Sequence, residues 1–198
     1  MTIDFLAALF LFAFVSTVTP GPNNLMLMAS GANFGFQRTI PHMLGITAGV
    51  VIMILLVGAG LIQLFDAVTW SYDALKLACV GYMGYLALKI LRTAPQNSNE
   101  QHASKPFNAV QAVLFQWVNP KAWSMALSSI TLYSPEREMA SVLLIAAAFA
   151  VVSLPSISVW VVLGKEFKRL LSNAWRLQLF NTTMALLLLG SLYPVLGL

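Results

Sequence analysis

The chain has 198 residues, of which 59% are hydrophobic and 9% charged, whereas a water-soluble domain carries about 25% charged residues. That composition excludes a soluble enzyme or binding domain and points to an all-α integral membrane protein. The net charge of +4 does not call for nucleic acid, because the basic residues gather beside apolar segments as they do in membrane proteins generally. One cysteine, Cys79, excludes an internal disulfide, and with two histidines far apart no metal-ligand cluster forms.

Taken in chain order, six apolar runs are long enough to cross a hydrocarbon layer of about 30 Å. They lie at roughly 4–30, 41–63, 69–91, 109–132, 139–163 and 176–196. The first is not expected to be a cleaved signal peptide: Asp4 stands where a basic n-region belongs, and Pro-Gly-Pro replaces a small-residue cleavage site. Within it the stretch VTPGPNNLM, Val18 to Met26, is out of place, since a proline in a helix interior costs about 3 kcal/mol. Pro20 and Pro22 lack an N–H and leave carbonyls one turn back unpaired, while Gly21 permits backbone angles other residues avoid. Asn23 and Asn24 are expected to cap a half-helix that resumes at Leu25, whose positive end would welcome a carboxylate.

The second run opens with His42, which suits either an interfacial position or a proton relay. Its glycines Gly45, Gly49, Gly58 and Gly60, like Gly81 and Gly84 in the third run, are expected to let helices approach closely. They permit a homodimer without requiring one. A polar linker, LRTAPQNSNEQHASKPF, then divides the chain. The fourth run is interrupted like the first: FQWVNPKAWSM, Phe115 to Met125, sets Asn119, Pro120 and Lys121 inside apolar sequence. Carbonyls freed by the Asn119-Pro120 break suit an ammonium group, with Asn119 supplying a donor and an acceptor. Lys121 within hydrocarbon costs at least about 2.5–3.5 kcal/mol, so a cavity or partner is expected for it, unless it snorkels to a helix end. Trp117 and Trp123 flank this break and could wall a site.

Lysine and arginine set the orientation, because cytoplasmic loops carry the excess. Arg38, Lys89, Arg92, Lys105, Lys165, Lys168, Arg169 and Arg176 fall on one side, and Arg137 on the other. Both termini are therefore expected on the periplasmic side. The chain reads as one transmembrane domain: a first three-helix repeat over 1–94, a cytoplasmic linker over 95–108, and a second three-helix repeat over 109–198. Three spans per half make the halves an inverted repeat, an arrangement of secondary transporters in which matching broken helices meet near the midplane. A Ser-His-Asp set, paired intramembrane carboxylates and a nucleotide-binding loop are all missing, which argues against a membrane enzyme or an ATP-driven pump. The membrane potential or a proton gradient is the expected driver.

The run TPGPNN, the later GFQRTIPHMLGITAG, the GYMGYLALKILR closing the third run, and VNPKAW in the fourth resemble the LysE/RhtB family of bacterial amino-acid exporters. Their order and spacing match along nearly the full chain. The doubled asparagine is most similar to the cysteine and O-acetylserine exporter branch. The resemblance implies an inner-membrane secondary exporter without a cofactor, in which amino-acid efflux is driven by proton influx. Where many members have an acidic residue after the second-span glycine, this chain has Val50, which disfavours a lysine substrate and leaves the proton-binding group open.

The expectation is thus export of small neutral amino acids or derivatives, of the cysteine/O-acetylserine or homoserine/threonine type. One side of the site would be Pro20, Gly21, Pro22, Asn23 and Asn24, and the other Asn119, Pro120 and Lys121. Lys121 either contacts the substrate carboxylate or exchanges protons, with His42 the second proton-coupling candidate. The rivals are a cation exporter of the same superfamily and a structural or assembly protein whose breaks are packing kinks.

Overall fold

A computed structural model describes residues 2–68, 70–92, 106–170 and 173–193. Among them the chain is entirely helical outside turns and caps, in nine helices. The expected linker lies outside the described residues apart from 106–108, as does Lys105.

The first run is two helices, α1 (Ile3–Val18) and α2 (Pro22–Phe34), bent by 57° at the break. The second is α3 (Phe36–Gly58). It ends earlier than expected because Gly60 takes a left-handed φ of 99° that turns the chain into a short α4 (Leu61–Ala67). The third is α5 (Ser71–Leu91). The fourth is broken into α6 (Ala109–Gln116) and α7 (Pro120–Tyr133). The fifth, α8 (Met139–Leu170), runs past its expected end at 163. Its exposed Lys165 and Glu166 extend the helix beyond the apolar stretch. The sixth is α9 (Ala174–Gly190).

By length and composition α3, α5 and α8 each suffice to cross a membrane, and the bent pair α1–α2 is long and apolar enough to be a fourth if it forms one broken span. The other two expected spans fall short of about 20 continuous helical residues, since α6 and α7 have 8 and 14 residues and α9 has 17. Large apolar side chains point outward along the bundle, including Leu11 and Phe14 of α1, Leu77 of α5 and Leu186 of α9. An apolar exterior of this kind belongs in lipid.

The packing is reciprocal. The broken helix α1–α2 lies mainly against α8, the broken helix α6–α7 lies mainly against α3, and α5 pairs with α9. Glycines make the close crossings. A Cβ on Gly31 would fall on the backbone of Val161, and one on Gly164 on the backbone of Met28, so α2 and α8 touch backbone to backbone. Gly45 and Gly49 admit Ala109, Ala112 and Gln116 of α6, and Gly58 admits Val142 of α8. The expectation fails for Gly81 and Gly84, which have nothing within 4 Å of the Cβ position: that face of α5 packs on no described segment. Phe115, Phe149, Met53 and Leu188 fill the core between the crossings.

Candidate functional site

The α1–α2 break is short of donors. Pro20 and Pro22 supply none, so the carbonyls that end α1 take hydrogen bonds from side chains. Trp160 of α8 donates its indole N–H to Val18 O at 2.9 Å, the carbonyl Pro22 would have served in a continuous helix. Asn24 donates to Thr17 O at 2.8 Å and to Thr19 O at 2.7 Å. Lys121 Nζ, arriving from the other break, donates to Thr19 O, to Thr19 Oγ1 at 2.9 Å and to Pro20 O at 3.4 Å. The oxygens expected to hold an ammonium group were those of the Asn119-Pro120 break; the structure instead places an ammonium, the protein's own Lys121, on the carbonyls of the first break.

The start of α2 differs from expectation. The helix resumes at Pro22, with Gly21 at the capping position and no side-chain cap, so Asn23 and Asn24 are not caps. Proline at the first helical position needs no partner for its nitrogen, which moves the helix start three residues earlier. Asn24 instead turns back to α1, and Asn23 reaches across the bundle. Its amide exchanges two hydrogen bonds with Gln116, the last residue of α6, at 2.8 and 3.2 Å.

At the second break Asn119 does cap: its Oδ1 accepts from Lys121 N at 3.1 Å while its Nδ2 meets Gln116 Oε1 at 3.5 Å. Asn119 and Gln116 are both fully buried and Asn23 is 8% exposed. None of them faces lipid. Trp123 Nε1 donates to Trp117 O at 2.9 Å, with the two rings 6.0 Å apart and edge-on, so this tryptophan pair closes the turn.

A cavity lies where the breaks meet, walled by Gly21, Asn23, Asn24 and Lys121 together with Val50 of α3 and Ser153 of α8. Of the expected residues, Pro20, Pro22, Asn119 and Pro120 are absent from this wall; they shape the backbone that presents the others. Gly21 is small because Lys121 passes over it: a Cβ there would overlap the lysine's Cδ. Space for the centres of water-sized bodies is about 20 Å³, enough for one water. The Ser153 hydroxyl is buried on this wall with no hydrogen-bond partner. Sequence reasoning missed Ser153 and Gln116. The signal for each was a polar residue within an apolar run, Ser153 two positions before Pro155 and Gln116 three before Asn119.

His42 is not part of this site. It is 1% exposed, with both ring nitrogens unpartnered, and it lines a separate cavity with Asn33, Lys89 and Phe107.

The family model described as LysE type translocator matches residues 14–191. The chain belongs to the LysE family. It is therefore a multi-pass membrane transporter and not an enzyme. Its curated relatives include the cysteine/O-acetylserine efflux protein of Escherichia coli O139:H28, 28% identical over 96% of each chain. The proteins of the same description from Escherichia coli K12 and Shigella sonnei are each 28% identical over 95% of both chains. No solved structure gives a significant match. For a LysE-family chain, Val50 on the cavity wall has a meaning beyond packing: the position where the resemblance led one to look for a carboxylate faces the break cavity and is apolar.

Proposed function

We propose that this protein is an amino-acid exporter of the bacterial inner membrane, moving small neutral amino acids or derivatives of the cysteine and O-acetylserine kind outward by alternating access. The observation that carries the reading is the meeting of two interrupted helices, with Lys121 of one held by the carbonyls of the other. A zwitterion complements both halves of that contact. Its carboxylate suits the Lys121 ammonium and the uncapped start of α2, and its ammonium suits the Thr19 and Pro20 carbonyls that Lys121 would release. Ser153 offers a further oxygen. Gly21, Asn23 and Asn24 form the rest of the wall, while Pro20, Pro22, Asn119 and Pro120 hold the backbone open.

The reciprocal packing of α1–α2 on α8 and of α6–α7 on α3 supports a six-span inverted repeat of 1–94 and 109–198 joined by a cytoplasmic linker. The basic residues support periplasmic termini. With space for about one water in the cavity, loading an amino acid requires the halves to part, which is what rocking of one repeat against the other supplies. The apolar Val50 favours a neutral substrate over a cationic one. Proton influx is the driver in this reading, with Lys121 the coupling group at the site and His42 the other candidate.

The test is overexpression in cells challenged with toxic concentrations of individual amino acids, with extracellular accumulation measured. Resistance and accumulation are expected for cysteine or O-acetylserine, and both are lost in Asn23→Leu at unchanged membrane abundance. Normal efflux by Asn23→Leu would remove the amide from the mechanism, and no efflux of any amino acid by the wild type would remove the exporter reading.

A further inference from the structure

A second cavity lies between α2, the start of α3, the end of α5 and the segment before α6, at the end of the bundle whose basic residues assign it to the cytoplasm. His42, Lys89, Asn33, Ser30 and Phe107 contribute to its wall. Space for water centres is about 50 Å³, room for a few water-sized groups, or about a carboxylate with its adjoining carbon.

Its chemistry is one-sided. A neutral imidazole has one N–H and one acceptor nitrogen, and neither ring nitrogen of His42 has a partner although the residue is buried. Leaving such a group unsatisfied is destabilising, a cost that an apolar residue of similar size at this position would avoid. The Lys89 ammonium lies 4.9 Å from the centre of the Phe107 ring, and the His42 ring is 5.2 Å from the same ring. A cation and an unsatisfied N–H thus approach one aromatic plate. No carboxylate is present among the described residues that line the cavity. The side-chain amide of Asn33 donates to Ala29 O and to Asn181, and Ser30 pairs with Thr39 at 2.9 Å, so the polar wall is fixed in place.

The two cavities share no lining residue, yet they adjoin along the same two helices. Met26 lines this cavity and Asn23, one turn earlier on α2, lines the other; His42 lines this one and Ile46, one turn later on α3, lines the other. Met26 and Ile46 are buried in the same core cluster and form an apolar layer between the two.

We propose that the His42–Lys89 cavity is a loading site, in which the carboxylate of an amino acid is held by Lys89 and the His42 ring N–H before it passes the Met26–Ile46 layer to the break cavity. This rests on the exporter reading, and the test separates the two. In everted vesicles, uptake of radiolabelled O-acetyl-L-serine is measured for wild type, His42→Gln and Lys89→Gln. KM rises about tenfold or more in each variant, with turnover less affected. Independently, Ser30→Cys in a Cys79→Ser background reacts faster with an anionic thiosulfonate than with its cationic analogue, and O-acetyl-L-serine slows that reaction. An unchanged KM in both variants overturns the proposal. So does preference for the cationic reagent, failure of either reagent to react, or protection by phosphatidylglycerol in place of the amino acid. A wild type that transports no amino acid defeats the exporter reading instead, and the reagent preference then still reports the charge of the cavity.

Discussion

At the α1–α2 interruption two prolines remove two N–H groups within three residues, and the spare carbonyls are served by side chains from α2, α7 and α8. At the α6–α7 interruption one proline is involved and the chain satisfies itself. Trp117, Val118 and Asn119 each donate a backbone N–H to the residue three before, at 3.2, 3.1 and 3.2 Å. Trp123 serves the Trp117 carbonyl from six residues away. The first break is a surplus of acceptors that must import donors; the second is a compact turn that exports one, the Lys121 ammonium. Two interruptions, one in each half of the sequence, thus have unequal chemistry, and the inequality joins them.

The largest expected effect comes from removing the imported charge. Lys121→Met lowers export about 100-fold or more, the scale set by loss of charge-assisted hydrogen bonds worth up to about 3 kcal/mol, as initial efflux rates would show. Lys121→Arg, too bulky for the space over Gly21, does not restore the rate; full rescue would mean that charge alone matters and the fit against the first break does not.

The reciprocal amide pair is the next contact to break. Asn23→Leu or Gln116→Leu alone strands a buried amide and costs about 1–3 kcal/mol, while the double variant costs less than the sum by about 1 kcal/mol. Melting of the four proteins in detergent reads this cycle, and strict additivity would show that the two amides are not coupled.

A smaller change sharpens the steric side of the comparison. Gly21→Ala puts a methyl group where Lys121 Cδ lies, so the lysine must move and KM for the exported amino acid is expected to rise about tenfold. Alanine is otherwise tolerated there, because the φ of 178° is extended backbone open to any residue.

The finest test compares the two tryptophans. Trp160→Phe and Trp123→Phe each delete one N–H to a carbonyl at a break, worth about 1 kcal/mol. The loss of stability should be larger for Trp160, since the first break has no backbone donor to take over. Equal losses would erase the distinction between an importing and a self-sufficient break.

Much of the site was legible in the residues. Proline and lysine are too costly inside an apolar run to be there without cause, so both breaks and Lys121 stood out. The partners did not. That Asn24 faces backward, that Asn23 meets Gln116, and that Gly21 makes room for a lysine 100 positions later depend on how packing against α3 and α8 brings the two breaks together. Gln116 and Ser153 were only weakly marked for a similar reason: one amide or hydroxyl in a span is common, and only the neighbouring helix decides whether it is satisfied locally. The burial of His42 was not legible either, because only the packing of α2, α5 and the segment before α6 around the start of α3 encloses it.

The amino-acid sequence by itself determined the membrane class and the places where helices must break, because hydrocarbon penalises every polar group and every missing N–H wherever the chain folds. It determined the family as well, through motifs in a fixed order. Which helix serves which carbonyl, and that the ammonium on one break fills the oxygens of the other, was decided only by tertiary structure. Hydrogen bonding within the bilayer is settled by whichever donor the packing brings within about 3 Å, and helix crossings far apart in sequence set that distance.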